Sequence, residues 1–169
     1  DKKIYYGRFE GDSVIFTAYS PDGEEGFPGG LTIEVKYTLK GSSLEIAYKA
    51  TAENDTPISL TNHSYFNLSD EQTALNHTLT VNSDFITPVN DTLIPTGELL
   101  AVSGTPFDFT KPQKVGLYID YPHKQLKIAG GYDHNFVLKN YGAYEKVASL
   151  YAEDTGITMD VLTDNFGMQ

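Results

Sequence analysis

The chain of 169 residues contains no cysteine, so disulfides and thiolate zinc sites are excluded. That composition fits a reducing compartment, and a cytoplasmic location is expected. Basic residues are scarce: 12 lysines and arginines stand against 23 acidic residues, for a net charge of −11. Phosphate binding needs a basic face, so nucleic acid is not expected as a partner. A neutral ligand would be indifferent to this field. Long apolar runs are missing too. Hydrophobic content is an ordinary 40%, and no run approaches the roughly 20 residues of a membrane helix. Convincing helical periodicity, internal repeats and low-complexity tracts are also absent. The length suits one domain with a real core.

What is present reads almost entirely as strand. Ser13–Tyr19 is β-branched and aromatic, and Ser20–Gly30 is a long turn punctuated by Pro21-Asp22-Gly23 and Pro28-Gly29-Gly30. Leu31–Leu39 alternates: Leu31, Ile33, Val35, Tyr37 and Leu39 share one face, and Thr32, Glu34, Lys36 and Thr38 the other. Lys40–Ser43 turns the chain into Leu44–Ala52, predicting a hairpin. Further strands are predicted at Leu79–Val81, Lys127–Ile128, Asn135–Leu138, Lys146–Ala152 and Ile157–Leu162, with a tight turn at Asp154-Thr155-Gly156. Ser83–Gly97 and Ser103–Pro112, rich in Pro, Asp, Thr and Gly, read as extended loops, and Val115–Tyr121 as one short turn of helix. The pattern predicts an all-β, antiparallel β-sandwich.

The chain is organised around Thr56–Leu68, TPISLTNHSYFNL. It reads as a strand through Ile58-Ser59-Leu60 that delivers Thr61-Asn62-His63-Ser64-Tyr65-Phe66-Asn67. One imidazole flanked by amides, hydroxyls and two rings suits a sugar: rings cover its apolar face, polar groups read its hydroxyls, and the imidazole moves a proton near neutral pH. The plainer reading, favoured on the residues alone, is a core histidine satisfied by Asn62 and Ser64. Glycosylation sequons begin at Asn54, Asn62, Asn67, Asn76 and Asn90. Two fall inside the cluster expected to be buried, so chance is the preferred account of them.

At TNHSYFNL the sequence resembles the aldose 1-epimerase (galactose mutarotase) family. SPDGEEGFPG at Ser20–Gly29, TPVNDTLIPTGE at Thr87–Glu98, TPFDF at Thr105–Phe109 and GGYDHNFVL at Gly130–Leu138 follow in the family's order. The resemblance implies a large antiparallel β-sandwich with a sugar cleft on one face. It also implies interconversion of the α and β anomers of a free hexose by ring opening and closure. Every step of that reaction is proton transfer, so neither cofactor nor metal is expected. The four histidines (His63, His77, His123 and His134) also lack metal-ligand spacing.

Carried over by the resemblance, His63 is the acid that protonates the ring oxygen, and Ser64 and Tyr65 follow it in the sugar-contacting segment. Asp133 accepts hydrogen bonds from sugar hydroxyls, although without the resemblance it reads as a turn residue after Gly130-Gly131. His134 is read as standing behind the contacts or at the surface. Gln169 aligns with a sugar-site glutamine, though Phe166-Gly167-Met168 replaces the family's usual Pro-Gly before it. The family's general-base glutamate is expected beyond Gln169, and an Asn-Arg pair and a second histidine before Asp1. The chain is therefore expected to be the central part of a single domain, lacking its N- and C-terminal strands. No leader-like stretch stands at Asp1. Competing readings are a carbohydrate-binding sandwich without catalysis, a mutarotase domain fused to a sugar-nucleotide epimerase, and a hexose-phosphate epimerase. The last would need cations for the phosphate, and only Arg8 and scattered lysines are on offer. The preferred sugar and the oligomeric state are not legible.

Overall fold

A computed structural model describes residues 3–169. The chain divides into two compact units, one ending at Ser64 and the other running Tyr65–Gln169. The first holds β1 (Tyr6–Glu10), β2 (Ser13–Ser20), β3 (Leu31–Lys40) and β4 (Ser43–Ala52), an antiparallel meander in the order β1-β2-β3-β4. Alternation dictates the β3–β4 register: Val35 faces Tyr48 and Tyr37 faces Ile46, while Glu34 lies opposite Lys49. Arg8 bridges to Glu34 at 3.0 Å and Lys36 to Glu10 at 2.6 Å, so the charged face is laced across strands. Gly41, at φ +60°, supplies the left-handed residue that reverses the chain between β3 and β4.

The second unit contains β5 (Thr78–Val81), β6 (Ser83–Ile86), β7 (Leu100–Ala101), β8 (Gln113–Lys114), α1 (Lys124–Ala129), β9 (Phe136–Leu138), β10 (Glu145–Tyr151), β11 (Thr158–Thr163) and β12 (Gly167–Met168). Among the described residues these strands form two four-stranded antiparallel sheets, β11-β10-β5-β8 and β12-β9-β6-β7. One core joins them. Val81 of β5 and Val147 and Ala148 of β10 cluster with Ile86 of β6 and Phe136 and Leu138 of β9, together with Val102, Phe107, Phe109 and Leu126. The rings meet edge to face: Phe107 and Phe109 lie 5.4 and 5.2 Å from Tyr132.

Most predicted strands are present, and the turn of helix expected at Val115–Tyr121 is a 3-10 turn over Val115–Leu117. Several expectations are corrected. Lys127–Ile128 is not strand but the interior of α1. Two caps decide this: His123 Nδ1 accepts from Gln125 N–H at the start, and Gly130 takes a left-handed φ of +71° at the end. Ser83–Gly97 is not all loop, since its first residues form β6 and the turn-forming residues come after Ile86. The Thr56–Leu68 stretch joins no ladder among the described residues, so the strand expected at Ile58–Leu60 is absent. Here local bonds compete with a ladder: Asn62 and Asn67 turn their Oδ1 atoms onto the N–H groups of Ser64 and Ser69, each at 3.0 Å.

Candidate functional site

The loop between α1 and β9 carries Asp133. Gly130 and Gly131, at φ +71° and +143°, let the chain leave the helix and rise to it. Asp133 is exposed, and its Oδ1 accepts a hydrogen bond from Gln169 Nε2. Strand register creates this pairing. β12 runs antiparallel to β9, with Gly167 opposite Val137 and Met168 opposite Phe136, so the residue after Met168 arrives beside the loop that precedes β9. Gly167 permits the approach, because a Cβ there would run into Asn135 Oδ1.

The residue that follows Asp133 is anchored in the interior. His134 is buried rather than at the surface, and its Nε2 lies 2.9 Å from Gln125 Oε1. Gln125 sits in the first turn of α1 and clasps the backbone of Val89, accepting from its N–H at 2.8 Å and donating to its carbonyl at 3.0 Å. Gln125 Oε1 can only accept, so His134 Nε2 carries the proton. Phe107 meets the His134 ring edge-on at 4.7 Å. Burial depresses the pKa of His134; the Asp133 charge opposes that shift and His123 adds to it. His134 is therefore a neutral strut under the carboxylate.

His63, Ser64 and Tyr65 are exposed, as is most of the stretch around them. The plainer reading of His63 as a core histidine is corrected, because the residue is exposed; its neighbour Asn62 donates to Tyr37 Oη (3.1 Å) and accepts from the Ser64 N–H. The cluster expected to be buried, with its two sequons, is likewise at the surface. His63 and Ser64 belong to the first compact unit, and Tyr65, Asp133 and Gln169 to the second. Gln125 had no signal in the sequence, because a lone glutamine in a short segment carries no pattern.

Comparison with solved structures defines the class of fold. A structure titled galactose 1-epimerase from Lactobacillus acidophilus NCFM superposes with a TM-score of 0.77 at 28% identity, covering 88% of this chain and 44% of that one. A GalM/aldose epimerase homologue from C. elegans gives 0.75, also at 28% identity, over 92% and 47%. The fold is thus the nearly all-β, antiparallel fold of the galactose epimerase structures.

A sequence profile described as Aldose 1-epimerase matches residues 6–169, and the chain belongs to that family. Galactose mutarotase of Sus scrofa is 40% identical over 171 residues, covering all of this chain and 48% of that protein. Aldose 1-epimerase of Escherichia coli K12 is 37% identical over 153 residues, 89% of this chain and 44% of that protein. The chain spans about half the length of the curated relatives it matches.

Proposed function

We propose that this chain supplies the proton donor and part of the sugar cradle of an aldose 1-epimerase acting on free hexoses such as galactose or glucose. His63 protonates the ring oxygen while a base removes the proton from the C1 hydroxyl. The C1–O5 bond breaks, the aldehyde rotates, and the same groups reverse their roles as the ring closes on the other face. The base is a glutamate expected outside these residues. Asp133 accepts hydrogen bonds from sugar hydroxyls, Gln169 adds an amide beside it, and Ser64 and Tyr65 complete the contacts from the segment that carries His63. A cytoplasmic setting and a partner no larger than a monosaccharide belong to the same reading, and no cofactor is required for proton transfers alone.

The observation that carries the reading is the exposed Asp133 carboxylate, paired with Gln169 above a buried strut. A charged acceptor with a neighbouring amide donor matches a vicinal diol, and its bonds to hydroxyls are roughly twice as strong as neutral ones. Polarimetry of hexose mutarotation by the full-length protein tests it. His63→Ala is expected to lower kcat by about 10²–10⁴-fold, the usual contribution of a positioned proton donor. Undiminished activity would remove His63 from the mechanism. Sugar binding by a wild-type protein with no mutarotation would make it a carbohydrate-binding sandwich.

A further inference from the structure

The stretch 55–68 joins no ladder among the described residues, so something other than a sheet must fix it. At its end, both polar groups of the Leu68 backbone are taken by side chains. The Leu68 N–H donates to His77 Nε2 at 2.9 Å, and the Leu68 carbonyl accepts from Thr155 Oγ1 at 2.7 Å. The next residues are held from the same side: Ser69 Oγ and the Asp70 N–H both donate to Asp154 Oδ2, at 2.6 and 3.1 Å. These side chains supply what a neighbouring strand would have supplied.

His77 is fixed in turn. It is fully buried, its N–H donates to the Ala74 carbonyl at 3.1 Å, and its own carbonyl accepts from the Val115 N–H at 2.9 Å, just before β5 begins. Accepting at Nε2 places the ring proton on Nδ1, which is buried without a hydrogen-bond partner among the described residues. An unpaired buried donor costs free energy that an apolar side chain of similar bulk would avoid. What the imidazole adds in exchange is the acceptor for Leu68.

We propose that His77 is a positioning residue: with Thr155 it grips the Leu68 peptide and so sets the end of the segment that carries His63 and Tyr65. The proposal rests on the assignment of those two residues to the sugar site. Loss of the grip lets the segment sample geometries in which the proton donor misses the ring oxygen, so it lowers kcat more than it raises KM.

The full-length protein with His77→Leu, which keeps bulk and removes the acceptor, is compared with His77→Gln, whose Oε1 reaches about as far as the imidazole Nε2. Thr155→Val releases the same peptide from its other side and leaves His77 in place. Amide hydrogen exchange by NMR and steady-state mutarotation are the readouts. In His77→Leu the amides of Leu68–Asp70 are expected to exchange about tenfold faster while the β5 and β10 amides keep their protection. A fall of about tenfold in kcat should accompany this. His77→Gln should recover most of both losses, and Thr155→Val should show the same local pattern more weakly. Unchanged Leu68 protection in both His77→Leu and Thr155→Val overturns the proposal. So does a general loss of protection that His77→Gln fails to correct while Thr155→Val leaves Leu68 unaffected. If the exchange pattern appears as expected but the wild-type protein has no mutarotase activity, the grip on Leu68 stands and the reading of His63 falls.

Discussion

Tyr132 stands immediately before Asp133 in the chain. Its hydroxyl donates to the Pro106 carbonyl at 2.9 Å, and its ring packs edge-on against Phe107 and Phe109. Burial pushes its ionisation up to about 12. Tyr132→Phe should cost about 1 kcal/mol at neutral pH, the usual net worth of one hydrogen bond. The sign of the pH effect follows from the raised value. The contribution of the tyrosine is complete below the ordinary phenol pKa of about 10 and is lost as pH rises toward the folded value. Urea melts of the two proteins at pH 8 should therefore differ, and the gap should close above pH ~10. A constant gap across that range would show that the phenol is not held in its protonated form. At this scale, residue type was legible and partnership was not. Asp133 and Gln169 were both singled out in the sequence, but their hydrogen bond spans 36 positions and depends on the β9–β12 register. For His63 the local residues offered a core or a sugar-contacting role, and its exposure was not legible in them.

Among the elements, α1 has an influence out of proportion to its length. Gln125 ties it to Val89 through two bonds and to His134 through a third. Gln125→Ala would leave the Val89 N–H and the His134 ring without those partners, at about 1–3 kcal/mol for each buried group. A total loss of about 3 kcal/mol in chemical denaturation is expected, well beyond the cost of one exposed bond. A loss under about 1 kcal/mol would mean that the three bonds do not act together. The β3–β4 hairpin was readable because ten-residue strands display their alternation fully. The six-residue α1 could not display a helical period, and its identity rests on a cap at each end and on a partner far along the chain. The stretch around His63 misled for the opposite reason. Its composition suits a strand, but its asparagines satisfy the backbone locally.

For the molecule as a whole, alternation sufficed to predict an antiparallel all-β fold, since the longer strands advertise their own faces. The pairing order of the short strands β7, β8 and β12 was not legible, because two residues cannot carry a period. The unladdered stretch has a further consequence. An endoprotease needs extended, accessible backbone that it can draw into its own cleft. No lysine or arginine stands between Lys49 and Lys111, so trypsin finds nothing to cut there. Chymotrypsin finds Tyr65, 88% exposed, and Phe66, 50% exposed, just where one compact unit ends and the other begins. Brief digestion should nick the chain first after one of these rings, and mass spectrometry should recover two pieces that each keep their own sheets. An initial scission inside any of the laddered strands would contradict this picture of the backbone.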